Sequence, residues 1–155
     1  MSKQIIYYGT NCKIEKPSII KGKYNKDFGE GFYCTVIRKQ AIRWAKKYDT
    51  PMVNIYEYNQ NNNLKIKEFT MMSEEWLDFI ISSRNGQEHS YDIVIGPMAD
   101  DQIYNYISDL IDGVITREAF WELAKFKYPT HQIVFCTDKA LDTIRYIDCQ
   151  VNFDE

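Results

Sequence analysis

Apolar and polar positions along the chain predict many short elements. Runs or alternations of β-branched and aromatic residues, each about 4–8 positions long, indicate strands. They occur at 4–8, 31–36, 52–58, 64–68, 92–96, 132–136 and 145–152. The polar turn at 60–63 makes 64–68 the expected hairpin partner of 52–58.

Helices are expected where apolar residues recur every three or four positions. Ser73, Thr116 and Thr137 have side chains that can cap a helix N-terminus. The predicted helices cover 38–48, 73–83, 100–111, 116–127 and a short turn after Thr137. Residues 11–30 are polar and contain glycine, which predicts a long binding loop.

The order of these elements predicts the fold class. Strands and helices do not alternate regularly, which argues against a doubly wound parallel sheet. Neither G-x-G-x-x-G nor G-x-x-x-x-G-K-[ST] occurs in the sequence. We therefore expect an α+β protein with a split mixed sheet and flanking helices, folded as a single domain over residues 1–155.

Composition and charge indicate where in the cell the protein is expected and what it could bind. No apolar run is long enough for a signal peptide or a membrane span, so we expect a cytoplasmic protein that does not contact membranes. The four cysteines lack a C-x-x-C spacing and are expected to be reduced thiols. Residues 1–48 hold 11 basic and 3 acidic residues, although the whole chain carries −3. This part could hold phosphates of a dinucleotide or a nucleic acid; a solvated surface paired with acids from the remainder is the alternative.

The common catalytic signatures are missing from the sequence. His89 and His131 are not spaced as metal ligands with any cysteine, so no metal site is expected. No G-x-S-x-G segment occurs. A nucleophile pair of Cys34 with His131 stays open, because any chain with both residue types allows one.

Four segments hold the informative residues. They are 7–10 (Y-Y-G-T), 27–35 (D-F-G-E-G-F-Y-C-T), 91–101 (Y-D-I-V-I-G-P-M-A-D-D) and 131–135 (H-Q-I-V-F). Gly9, Gly29 and Gly31 allow backbone bends and close approach to a ligand, although ordinary turns would also use them. Phe32 and Tyr33 begin a strand after a glycine, where a ring can stack on another ring.

In this order the segments resemble a bacterial family of small proteins of unknown function within the ADP-ribosyltransferase superfamily. The resemblance runs from Tyr7 to about Leu141 and is most specific in D-F-G-x-G-F-Y-x-T, followed by Gln40-Ala41 and Trp44-Ala45. It implies an ADP-ribosyltransferase-like split sheet, with NAD as substrate. It also implies a mono-ADP-ribosyltransferase that acts as a toxin or anti-phage effector, with an antitoxin protein as a possible partner.

The resemblance implies a site of the His-Tyr-Glu type. Gly9, followed by Thr10, matches the glycine whose backbone meets the nicotinamide amide. Tyr33, beside Phe32, matches the tyrosine that stacks on the nicotinamide. All four residues are thus implied to lie near NAD.

Two positions depart from that type. Tyr8 stands where a histidine would hold a ribose hydroxyl; a phenol can donate the same bond but is longer than imidazole. Gln132 stands where a glutamate would support the oxocarbenium-like transition state, and members of this family often have glutamine there. A carboxamide has no negative charge and cannot act as a base, which could cost roughly 1.5–3 kcal/mol and limits the reaction to a single transfer.

Asp100 and Asp101 are candidates to activate the acceptor, which we expect to be an intracellular protein or nucleic acid. Alternatively, one of them caps the following helix. Two other functions stay open. The changes at Tyr8 and Gln132 allow a catalytically degenerate module that binds NAD or a partner, and water as acceptor would give an NAD glycohydrolase.

Overall fold

The computed structural model describes residues 3–19, 27–99, 101–125, 130–151 and 153. Within them the chain forms strands and helices in the predicted order. The strands are β1 (Lys3–Thr10), β2 (Phe32–Cys34), β3 (Met52–Asn59), β4 (Ile66–Glu68), β5 (Ile93–Gly96), β6 (Gln132–Phe135) and β7 (Ile144–Gln150). The helices are α1 (Arg38–Ala45), α2 (Glu74–Arg84), α3 (Asp101–Ile111), α4 (Arg117–Ala124) and α5 (Asp138–Leu141).

The predicted N-caps are confirmed at three helices. Ser73, Thr116 and Thr137 each accept a hydrogen bond from the backbone N–H three residues later, at 3.1–3.2 Å. Each side chain satisfies one of the N–H groups that a helix start leaves unpaired. α2, α4 and α5 therefore begin where the sequence predicts.

The strands form two sheets, and the predicted α+β class is confirmed. One sheet has three strands in the order β1-β3-β7 and is antiparallel throughout. The other has four strands in the order β2-β6-β5-β4; its β4–β5 pair is parallel and its other pairs are antiparallel.

The predicted hairpin between 52–58 and 64–68 is wrong. β3 lies at the centre of the three-stranded sheet, whereas β4 lies at the edge of the four-stranded sheet beside β5. The polar turn at 60–63 therefore carries the chain from one sheet to the other. Turn residues mark where a strand ends, but they do not decide which strand the next one joins.

Among the described residues, three hydrophobic clusters hold the layers together. The two sheets share a core that includes Ile6, Phe32, Tyr56 and Phe135. α2, α3 and α4 cover the other face of the four-stranded sheet, and Trp76 of α2 is fully buried in this cluster. α1 packs on the three-stranded sheet. None of the helices in these described ranges is long and apolar enough to cross a membrane.

Candidate functional site

The two sheets meet at a backbone bridge between Tyr7 of β1 and Thr35, the residue after β2. The Tyr7 N–H donates to the Thr35 carbonyl at 2.8 Å, and the Thr35 N–H donates to the Tyr7 carbonyl at 3.0 Å. Gly9 and Thr10 follow the bridge on β1. The junction thus brings the segments 7–10 and 27–35 side by side.

Strand register divides the predicted site residues between two faces. Side chains alternate along a strand, and directly opposed residues share a face. Tyr33 opposes Val134 of β6, so Gln132, two residues before Val134, lies on the face of Tyr33. Tyr8 and Phe32 instead pack in the core between the sheets. The structure therefore brings Tyr33 and Gln132 together, and separately brings Tyr8 and Phe32 together.

Tyr33 closes the turn of the D-F-G segment. Its hydroxyl donates to the Gly29 carbonyl at 2.5 Å and accepts from the Phe28 N–H at 3.1 Å. Gly29 has a φ of +85°, a left-handed conformation that glycine adopts without strain. Burial, aided by the nearby Asp27 carboxylate, raises the pKa of Tyr33 well above its usual value. The phenol therefore stays neutral, and its own loop fixes the angle of its ring.

Gln132 is buried beside an acid. Its Nε2 lies 3.5 Å from Asp27 Oδ2 and 3.3 Å from the Pro97 carbonyl oxygen. The same Oδ2 accepts from the Ala99 N–H at 3.0 Å, and Oδ1 accepts from Arg84 Nη2 at 2.9 Å. The first residue of the D-F-G segment thus joins the predicted glutamine to a buried ion pair.

Asp27 and Arg84 are residues of this site to which the sequence analysis assigned no role. Leu77, Ile80 and Arg84 are spaced three and four positions apart, which puts the arginine on the buried stripe of α2. A charge on such a stripe needs a partner, and that spacing is the signal the sequence offers. It does not identify Asp27, because the chain has 22 acidic residues.

Gly9 allows a close approach, and its observed partner is the protein's own helix. A Cβ atom at Gly9 would lie 1.9 Å from the Ala41 carbonyl oxygen and 3.0 Å from the Ala45 nitrogen. Thr10 is buried at the end of β1, with its hydroxyl 3.5 Å from Asn11 Oδ1. Both residues therefore have structural roles at the β1–α1 contact and the end of β1.

Tyr8 and Phe32 pack against each other between the sheets, with ring centroids 4.4 Å apart. Phe32 is 1% exposed and also contacts the ring of Tyr56, so it serves the core and is not available as a stacking platform for a ligand. Burial raises the pKa of Tyr8 to about 12, so its phenol stays neutral and keeps its donor at neutral pH.

The two candidate acids stay predictions. Asp100 lies outside the described residues. Asp101 is the first residue of α3, and its side chain lies outside the described part of the structure too.

Gln40 ties α1 to the start of β6. Its Nε2 donates to the His131 carbonyl at 2.5 Å, and its Oε1 accepts from the His131 N–H at 3.2 Å. Gln40 is 3% exposed, so these bonds satisfy an otherwise buried amide. The Gln40-Ala41 part of the motif therefore positions the residue next to Gln132.

The pair of Cys34 and His131 lacks the features of a nucleophile. Cys34 is fully buried, and burial raises its pKa well above the usual value, which disfavours the thiolate. His131 Nδ1 accepts from the Val36 N–H at 3.3 Å. Cys34 is therefore a core residue of the four-stranded sheet.

Comparison with known proteins identifies the family. A family model described as a protein of unknown function (DUF3990) matches residues 4–146, a range that includes all four informative segments. No curated protein and no solved structure matches the chain significantly. Because the family model covers most of its length, the chain belongs to the DUF3990 family.

Proposed function

We propose that this protein is a mono-ADP-ribosyltransferase that uses NAD to modify an intracellular protein or nucleic acid. The proposal rests on one observation, the shared face of Tyr33 and Gln132 beside the junction that leads to Gly9. Diagonal neighbours on adjacent strands lie roughly 7–8 Å apart. A stacking ring and a hydrogen-bonding amide at that spacing can contact two parts of one nucleotide.

In the proposed reaction, the bond between nicotinamide and ribose breaks and its electron pair leaves on nicotinamide. The acceptor then bonds to the ribose carbon and loses a proton. Tyr33 would stack on the nicotinamide ring, and Gln132 Oε1 would accept a hydrogen bond from a ribose hydroxyl. Since neither group supplies a base, most of the rate would come from holding NAD in a reactive geometry.

The proposal does not depend on Tyr8 or Phe32, because both lie on the face between the sheets. Asp100 and Asp101 remain candidates to activate the acceptor. A toxin or anti-phage role, with an antitoxin protein as partner, would suit a transferase of this kind.

A catalytically degenerate module that binds NAD or a partner is the second candidate. It is favoured by the neutrality of Gln132, whose amide nitrogen faces Asp27 and the Pro97 carbonyl. Such a protein would bind NAD saturably and release no nicotinamide, even with a lysate present.

The test is incubation of the purified protein with labelled NAD, with and without a bacterial lysate, following free nicotinamide and label on macromolecules. A transferase gives label only when lysate is present, and protease or nuclease treatment assigns the acceptor class. Release of ADP-ribose without any macromolecule would instead indicate the glycohydrolase.

Site variants connect the result to the proposed residues. Tyr33→Ala and Gln132→Leu should abolish labelling, whereas Tyr33→Phe keeps the ring and should retain part of it. Arg117→Met is the matched control, because the Arg117 side chain is 42% exposed and lies in ion pairs on α2 and α4. Labelling that survives Tyr33→Ala in folded protein would refute this site assignment.

A further inference from the structure

We propose that Asp27, held by Arg84, is a positioning residue that orients the Gln132 carboxamide and makes the site selective for glutamine over glutamate at position 132. The inference rests on the proposed function only in assuming that the oriented amide binds a ribose hydroxyl of NAD. The orientation itself follows from contacts among Asp27, Arg84, Pro97 and Gln132.

Two oxygens face the amide nitrogen of Gln132. Asp27 Oδ2 lies 3.5 Å from Nε2, and the Pro97 carbonyl oxygen lies 3.3 Å from it. Both contacts are longer than a typical N–H···O bond, so they act mainly by electrostatic preference. The reversed amide would put Oε1 against two acceptors with no hydrogen between them. Oε1 is therefore turned away from the acid, and it is the atom that the proposed function uses.

Asp27 cannot easily turn away from this contact. Its Oδ1 accepts from Arg84 Nη2 at 2.9 Å, and its Oδ2 accepts from the Ala99 N–H at 3.0 Å. Arg84 is itself held by Tyr104, whose carbonyl accepts from Nη1 at 3.2 Å and whose ring centroid lies 3.8 Å from the guanidinium carbon. The Arg84 and Asp27 side chains are 5% and 10% exposed, so the charges interact with little screening by water.

A glutamate introduced at position 132 would conflict with this arrangement. Its carboxylate would face the Asp27 carboxylate and the Pro97 carbonyl, whose oxygens accept hydrogen bonds and have none to donate. Arg84 Nη2 and the Ala99 N–H already donate to Asp27. Two buried carboxylates at this distance cannot both ionise cheaply, so the introduced glutamate would have to hold a proton in the folded state.

The experiment compares Gln132→Glu with the double variant Asp27→Asn/Gln132→Glu. In the double variant the acid and the amide exchange places, so the summed charge of positions 27, 84 and 132 is the same as in wild type. In the double variant the new asparagine can donate its amide hydrogen to the new glutamate. It loses the bond from the Ala99 N–H, however, so recovery should be partial. Gln132→Met is the neutral control of similar size. Thermal unfolding is measured from pH 4 to 8 without NAD, and NAD labelling is measured in parallel.

For Gln132→Glu we expect stability to be full at low pH and to fall as pH rises above roughly 4.3, the unfolded value of glutamate, through the raised folded pKa. Tyr33, which lies near Asp27, and Cys136, which lies near Tyr33, stay neutral in this range because burial raises the pKa of each. Burial lowers the pKa of His131, the neighbour of position 132, and this histidine is present in every variant compared. Wild type and Gln132→Met should lack this decline, and the double variant should show a weaker one. Labelling by Gln132→Glu should drop about tenfold or more, a change that corresponds to the free energy of one pKa unit. Labelling should recover in part in the double variant.

The outcomes separate this inference from the proposed function. Equal pH dependence of wild type and Gln132→Glu, or a double variant no more stable than the single one at pH 7, would overturn the positioning role. If Gln132→Glu fails to fold at every pH, a folded double variant supports the role and an unfolded one overturns it. Absence of labelling by wild type would refute the transferase, while the stability measurements would still decide the orientation of Gln132.

Discussion

The Ala41 carbonyl oxygen lies directly over Gly9, 1.9 Å from where a Cβ atom on that glycine would stand. β1 and α1 therefore touch backbone to backbone at the junction of the two sheets. Glycine is required here by the fold, whether or not its backbone also meets a ligand. Each residue of the proposed site must accordingly be tested for stability as well as for activity.

The first prediction concerns this contact. Gly9→Ala should force α1 away from β1 and destabilise the protein by at least the roughly 1–3 kcal/mol typical of overpacking, as measured by urea unfolding. Gly113→Asn is the control, since Gly113 has a φ of +77° with open space around it and asparagine tolerates that conformation. Equal stability of the two variants would show that α1 does not pack as described.

The buried ion pair supports a second prediction. Arg84→Met leaves the Asp27 carboxylate buried without its charged partner, which should cost about 3–5 kcal/mol of unfolding free energy. Arg117→Met removes an arginine whose ion pairs with Glu74 and Asp78 are exposed, and it should cost about 1 kcal/mol or less. A loss for Arg84→Met as small as that for Arg117→Met would contradict the buried pair.

A third prediction follows from the pKa of Tyr8. That pKa is raised to about 12 in the folded protein, above the unfolded value of 10.0. The contribution of the neutral phenol is thus intact below pH 10 and is lost as pH rises from 10 to about 12. In the Tyr8→Phe variant, stability should therefore fall less steeply than in wild type as pH rises through this range. The difference at pH 7, where the phenol is neutral, measures the packing and hydrogen bonding of the hydroxyl and serves as the internal control.

The fourth prediction concerns the different reactivities of Cys12 and Cys34. A maleimide added to the native protein should modify exposed Cys12 and spare buried Cys34, as read by mass spectrometry of peptides. Denaturant should make Cys34 reactive, and Cys12→Ser confirms the assignment. Native Cys34 reacting as fast as Cys12 would restore the Cys34–His131 pair as a candidate nucleophile.

Local signals located the elements well. Ser73, Thr116 and Thr137 begin their helices as predicted because a cap acts on an N–H only three residues away. Tyr33 and Gln132 were named from a sequence resemblance, and alternation along β2 and β6 is enough to put both on one face once the register is known.

Local signals do not indicate which segments far apart in the sequence contact each other. The sequence by itself determined where strands and helices form and that the protein is α+β. Only the tertiary structure decided that β4 joins β5 and not β3, that α1 closes over Gly9, and that Arg84 pairs with Asp27, 57 residues away. The physical reason is that caps and side-chain periodicity act within a few residues, whereas strand pairing and buried ion pairs depend on which surfaces meet.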